Sequence, residues 1–349
     1  MYSPAAMDVS LFDYHLPPES IAQEPLPERS ASRMLVLPRT GPGDCVDKAF
    51  RDLPEFLRPG DLLVLNDTRV IPARLIGRRP TGGRVEALLL QPLEPDLWEA
   101  LVRPAARMRP GQTADFGDGR LNARVVEAFP GGLRILRLSC DEPLEDILEQ
   151  IGQTPLPPYI KRPEPRPEDR GRYQTVYAAR PGAAAAPTAG LHFDAAALAA
   201  VESVGASIAH VTLHVGLGTF QPVSVDTVEE HEIHSEWCSI PDQTAGAVNA
   251  ARAEGRRVIA VGTTVVRTLE SRASIGRVAP GSGLTNLFIY PGYQFQIVDA
   301  LLTNFHLPRS SLLMMVSAFA GRERILSAYN HAVQTGYRFY SYGDCMLII

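Results

Sequence analysis

Four histidines stand in two short stretches of this chain. His210 and His214 flank Val-Thr-Leu, and His231 and His234 lie in His-Glu-Ile-His-Ser-Glu. Residues an even number apart on a strand share one face, so His210 and His214 point the same way. A zinc site needs further Cys, His or acidic ligands at diagnostic spacing. The His-x-x-His spacing is unspecific and no such ligand accompanies it, so no metal is expected. Proton transfer suits these residues better, because imidazole exchanges protons near neutral pH. Two more histidines invite the same reading. His192 closes the small apolar run GAAAAPTAGLHF (182–193), where backbone can approach a ligand closely. His306 lies in TNFHLP (303–308).

Two stretches suit ligand binding. RVIAVGTTVVRTLE (257–270) reads as strand, tight glycine turn, helix. The turn at Gly262, Thr263 and Thr264 would aim the first helical amides at a carboxylate or phosphate, and Arg267, about one turn on, can face the same anion. The pattern is neither the dinucleotide-binding glycine fingerprint nor a nucleoside-triphosphate loop. In LLTNFHLPRSS (301–311) an apolar strand breaks into polar residues before a capped helix. There Asn304 can read an amide or a base edge, Phe305 can stack, and His306 can move a proton.

The elements that hold these residues are legible as an alternation. At 349 residues the chain is too long for one ordinary core, so two domains are expected. Buried strands are read at 61–70, 207–215, 257–261, 286–290 and 295–302, and the chain closes in β at 338–342 and 346–349. Helices are read at 195–204 (N-capped by Asp194), 242–254, 264–273, 310–319 and 322–335. Strands alternating with helices make a layered α/β domain. Between them the texture changes: six short runs from 70 to 139, separated by Gly and Pro turns and with no helix, read as a small antiparallel barrel. The expected division is a discontinuous α/β domain (7–72 and 154–349) carrying an inserted barrel (73–153), with 1–6 as a ragged start.

Charge separates the two units. The segment 69–137 holds 12 Arg, no Lys and 7 acidic residues, a balance of +5, while the whole chain carries −5. A basic module on an acidic body suggests a polyanion held at one place. Arg103, Arg107 and Arg109 lie in it, and the Pro-rich strap TPLPPYIKRP (154–163) adds Tyr159, Lys161 and Arg162. The four cysteines are far apart and form no CxxC pair, which fits a reducing compartment. No apolar run reaches the roughly 18 residues of a membrane helix, and the N-terminus lacks a signal pattern. A cytoplasmic, monomeric protein is expected.

Taken together, LNDTRVIPARL (65–75), TPLPPYIKR (154–162), YQTVYA (173–178), AAPTAGLHF (185–193), TLHVGLGTFQPV (212–223), HEIHSE (231–236), VGTTVVRTLES (261–271), TNFHLP (303–308) and YRFYSYGD (337–344) resemble the S-adenosylmethionine:tRNA ribosyltransferase-isomerases of queuosine biosynthesis. The motifs run in order from about residue 7 to the end. Asp194 stands where the family often has Thr, and Ile233 where it often has Met.

The resemblance implies a large α/β domain with an inserted β-barrel. It also implies the reaction. The ribosyl part of S-adenosylmethionine moves to the aminomethyl group of 7-aminomethyl-7-deazaguanine in the tRNA wobble position. The sugar rearranges to an epoxy-cyclopentanediol, giving epoxyqueuosine, and adenine and methionine leave. S-adenosylmethionine is then a consumed substrate, and no cofactor is expected. Such chemistry asks for a base near the sulfonium and an acid near adenine, an anion site for the methionine carboxylate, and an unstacked nucleobase. His192 and His306 are the first candidates for proton transfer, then His214 and His234, with Asp344 as the carboxylate alternative. Gly190, Gly262, Thr263, Thr264, Arg267, Asn304 and Phe305 are candidates for the donor. Arg103, Arg107, Arg109, Tyr159, Lys161 and Arg162 are candidates for tRNA.

Overall fold

The computed structural model describes residues 6–41, 43–162, 164–216 and 223–349. Residues 1–5 of the expected ragged start, Pro163 of the strap, and 217–222 of the TLHVGLGTFQPV motif lie outside them.

The apolar runs read as buried strands form the middle of one sheet. Leu62–Asn66 pairs in parallel with Ser207–Leu213 on one side and Val258–Val261 on the other, and Val258–Val261 pairs in parallel with Ala300–Asn304. Every residue of Leu62–Asn66, Val258–Val261 and Ala300–Asn304 is buried, as a parallel sheet covered on both faces requires. Alternation sends Leu62 and Val64 into one core with the helices Thr263–Ser271 and Ser311–Ala320. Leu63 and Leu65 enter a second with Phe193 and Val201. Among the described residues the sheet has nine strands. Glu236–Ile240 and Gly281–Thr285 extend one edge; Cys345–Ile348, Arg33–Leu37 and Val46–Ala49 extend the other.

The Arg-rich segment closes into a six-stranded antiparallel barrel. Its separate core includes Leu75, Leu89, Val102, Phe116 and Leu136, and the helix Leu144–Ile151 adds Ile147 and Leu148 to it. The fold class is α/β with an inserted barrel, as the sequence and the resemblance led one to expect.

Three expected strands do not form as read. The stretch 286–290 has no ladder, and the 295–302 run becomes strand only at Ala300. The buried Glu270 carboxylate explains the second case. It accepts the backbone amides of Gln296, Ile297 and Val298 at 2.9, 3.0 and 3.1 Å, which occupies the groups a ladder would use. Gly281–Thr285, with two glycines, pairs instead. The 338–342 run is likewise a turn: Asp344 accepts the amides of Arg33 and Arg338, both at 2.8 Å, and Gly343 N donates to Tyr340 O at 2.9 Å.

All four central strands run the same way, so their carboxyl ends lie on one edge. That edge carries Asn66, Leu213, Gly262 and Asn304, and open α/β sheets bind ligands there. Gly262 makes the turn with φ 93° and ψ 153°, a region essentially closed to other residues. An added Cβ would meet nothing closer than 3.6 Å, so replacing this glycine acts through the backbone alone. Gly262→Ala is expected to lower unfolding free energy by about 1–3 kcal/mol; denaturant melts of the two proteins measure it.

Candidate active site

A cleft opens at that edge. It is lined by Pro187 to Ala189, by Gly262, Thr263 and Thr264, by Thr303 to His306, and by Tyr159, Tyr340 and Ser341. Thr263 begins a nine-residue helix, and the first amides of a helix have no intrahelical acceptor. The turn is anchored by Asn66. Its Nδ2 donates to Thr264 Oγ1 at 3.2 Å and to Leu213 O at 3.0 Å. Its Oδ1 accepts from Thr68 N at 3.1 Å and Leu213 N at 3.0 Å. Asn66 belongs to a quoted motif but was not among the expected site residues; its place at the polar end of a buried strand was the available signal.

A second, wider cavity with about 1570 Å³ of empty space lies between sheet and barrel. Gln91, Glu99, Leu101 and Leu133 line it from the barrel; Gly182, His214, His234, Glu236 and Trp237 line it from the sheet. His214 and Gly216 face this cavity and Val215 faces the first, so residues 214–216 separate the two. His214 stacks on Trp237 with ring centroids 4.9 Å apart and planes 18° apart, and its Nδ1 pairs with Thr68 Oγ1 at 2.8 Å. Burial holds its imidazole below the usual range. His234 is exposed at the cavity wall.

The expected donor residues divide. Gly262, Thr263, Thr264 and Asn304 line the cleft. Phe305 borders it, but its ring is enclosed by Tyr329, Tyr337 and Phe339, with centroids 5.0 to 5.4 Å away, so stacking on a ligand is not its place. Arg267 is turned away. Its buried guanidinium pairs with Glu236 and donates to Leu287 O at 3.1 Å, so an arginine one turn into this helix does not meet the anion at the helix start. Gly190 is not in the cleft wall; a Cβ there would come within 2.1 Å of the Tyr177 hydroxyl oxygen, so internal packing already explains this glycine.

The proton-transfer candidates divide as well. His306 lines the cleft, with Nε2 3.0 Å from Thr303 Oγ1. Burial lowers its pKa to about 3, so the imidazole is neutral. His192 lies beneath the cleft. Ser32 Oγ is 2.7 Å from Nδ1 and Asn304 Nδ2 is 3.2 Å from Nε2. Burial, then the positive charges of Arg29 and Arg338, lower its pKa to about 3. Both ring nitrogens being engaged by the protein, His192 has none left for a substrate. Asp344 is also withdrawn: it is buried, holds the two amides described above, and its pKa is raised by burial. His192 and Asp344 correct the sequence reading in one sense: a motif histidine or aspartate can serve the wall of a site without facing it.

For the tRNA candidates, Arg103, Arg107 and Arg109 are exposed on the barrel and have no ion pair among the described residues. Outward positions on the Leu97–Arg103 strand alternate, so Arg103 follows Glu99 and Leu101 at the mouth of the second cavity. Lys161 is exposed. Arg162 is not available: its side chain is 5% exposed and paired with Asp169 and Glu24. Tyr159 belongs to the first cleft, edge-on to Tyr340 at 4.0 Å and bonded to Ser341. Among the described residues no group of three His, Cys, Asp or Glu side chains is arranged to hold a metal.

The sequence profile described as Queuosine biosynthesis protein matches residues 9–348. The chain is 56% identical to the S-adenosylmethionine:tRNA ribosyltransferase-isomerase of Moorella thermoacetica, over 98% of this chain and all of that one. The chain belongs to this family. It is 55% identical to the protein of the same name from Heliobacterium modesticaldum, over the same shares. A crystal structure of S-adenosylmethionine tRNA ribosyltransferase from Thermotoga maritima is 38% identical, with a TM-score of 0.56, and the match covers 97% of this chain and 100% of that one. Among the described residues of this family member no helix is long and apolar enough to cross a membrane.

The two neutral histidines give stability a pH dependence with a definite sign. The unfolded chain takes up protons near pH 6.5, whereas folded His192 and His306 do so only near 3. Stability is therefore full above 6.5 and falls as pH drops through the window between those values. Each histidine is expected to cost about 2 kcal/mol by pH 5. Denaturant melts at pH 7.5 and 5 measure this, and the difference should shrink in His192→Gln; a pH-independent midpoint would show that the folded histidines take up protons as readily as the unfolded ones.

Proposed function

We propose that this protein transfers and isomerises the ribosyl part of S-adenosylmethionine onto 7-aminomethyl-7-deazaguanine in the tRNA wobble position. The products are epoxyqueuosine in the tRNA, free adenine and methionine. The observation that carries the reading is the pair of cavities divided by residues 214–216 in one chain. One lies at the carboxyl edge of the parallel strands beside a helix start, and the other opens toward the exposed Arg103.

In this reading the donor occupies the first cleft. Its carboxylate meets the amides at Thr263 and Thr264, where a helix start favours negative charge. Tyr159 and Tyr340 offer aromatic surface to adenine. His306, in the cleft wall beside Thr303, is the proton acceptor for the carbon acidified by the sulfonium, and donor binding must raise its basicity for that role. The acceptor base enters the wider cavity, where His214 stacked on Trp237 provides an aromatic wall. Arg103, Arg107, Arg109 and Lys161 take the phosphates around it. Both cavities belong to a single chain, so the reading needs no second subunit. S-adenosylmethionine is consumed and no resident cofactor is required; the tRNA substrate sets the compartment as the cytoplasm.

The test identifies the released small molecules. Incubating the protein with S-adenosylmethionine and tRNA bearing the aminomethyl base should release adenine and methionine. Release of S-adenosylhomocysteine would mean methyl transfer, and release of neither would remove the functional reading.

A further inference from the structure

Asn304 has one side-chain atom with no assigned work. Its Nδ2 faces three acceptors: Tyr340 O at 3.1 Å, His192 Nε2 at 3.2 Å and Asp344 O at 3.4 Å. Its Oδ1 is buried and has no hydrogen-bond partner among the described residues. The residue is 2% exposed and lines the first cleft. A buried acceptor left without a donor is destabilising by about 1–3 kcal/mol, so such atoms in a site wall point to a ligand.

We infer that Asn304 offers its amide oxygen to an N–H group of the donor in this cleft, and that His192 is a positioning residue that fixes this orientation. The inference rests on the proposed function and deepens it.

The orientation follows from proton counting. Tyr340 O and Asp344 O can only accept, so the edge of Asn304 that faces them is its NH₂ group. The same edge faces His192 Nε2, so Nδ1 carries the ring proton and donates to Ser32 Oγ at 2.7 Å. Nε2 is then a bare acceptor, which an NH₂ group satisfies and an amide oxygen does not. Turning the Asn304 amide over would aim its oxygen at Nε2 and at two carbonyl oxygens at once. A charged imidazole would also favour the wrong amide edge, which gives the depressed basicity of His192 a purpose.

The backbone supports the same arrangement. Tyr340, whose carbonyl is one of the three acceptors, holds φ 74°, an outlier for a bulky residue of the kind found where a site over-determines its geometry. The Gly343 amide donates to the same carbonyl.

S-adenosylmethionine carries two N–H donors of this kind, the adenine 6-amino group and the methionine α-ammonium. Two analogues separate them, one lacking the 6-amino group and one lacking the α-amino group. Dissociation constants are measured for the natural donor and both analogues, and each protein is characterised by its analogue-to-donor ratio. Because the ratio is taken within one protein, a general loss of fold or affinity cancels. The wild type is expected to bind at least one analogue about fivefold to a hundredfold more weakly. Asn304→Leu should bring that ratio to near one. His192→Leu should lower it, and His192→Gln, whose Oε1 can replace Nε2 as acceptor, should restore it.

Ratios near one for both analogues in the wild type would overturn the inference without any variant, which keeps it testable if Asn304→Leu does not fold. A wild-type ratio in Asn304→Leu would overturn it too, and a wild-type ratio in His192→Leu would remove the role of His192. Adenine release from the natural donor is followed in parallel. Its absence in the wild type counts against the functional reading, whereas its presence with flat ratios counts against this inference alone.

Discussion

The site depends on one buried amide, that of Asn66. It sits at the carboxyl end of a central strand, is fully buried, and makes four hydrogen bonds, the full capacity of such a side chain. Through them it ties the end of Leu62–Asn66 to the end of Ser207–Leu213 and to the first turn of the helix Thr263–Ser271. No hydrophobic contact could set those three backbone ends so closely, because apolar packing is not directional. Once they are set, the Gly262 turn faces the cleft on one side, and the chain leaving Leu213 becomes the wall between the two cavities.

Around that anchor, charged and titratable groups are mostly spent inside the protein. Arg267 neutralises Glu236, which in turn accepts the amide of Gly216 at 2.8 Å in the dividing wall. Glu270 holds a loop, Asp344 holds a turn, and Arg162 holds the strap to Glu24 and Asp169. The cleft is thus lined by neutral polar groups, helical amides and aromatic rings. Such a lining suits a donor that brings its own positive sulfonium and negative carboxylate. The positive charge of Arg103, Arg107 and Arg109, unpaired among the described residues, stays outside, on the exposed surface of the barrel, where water screens it.

The sequence told the fold well because its signals are local. Most of the continuous apolar runs form strands buried on both faces, and six Gly- and Pro-punctuated runs without a helix close into a barrel. It failed where side chains replace backbone partners: nothing in 286–302 says that Glu270, far back in the chain, will take three of its amides. The site was legible as motifs but not as directions. Asn304 and the Gly262 turn face the cleft as their residue types suggest. Arg267, His192 and Asp344 have equally suggestive types and face inward, since orientation is decided by partners distant in sequence, such as Glu236, Ser32 and Arg33. Tyr159 was assigned to tRNA by its basic neighbours, and its contact with Tyr340 moves it to the cleft.

In the proposed function the small-molecule donor sits at the carboxyl edge of the central strands, between the Gly262 turn and Asn304, while the nucleobase takes the cavity beyond residues 214–216. A crystal structure with S-adenosylmethionine bound in the absence of tRNA tests this most directly. The account predicts density for the methionine carboxylate at the Thr263 and Thr264 amides and for the rest of the donor against Tyr340 and Asn304. Donor density in the wider cavity instead, against His214 and Trp237, would contradict it.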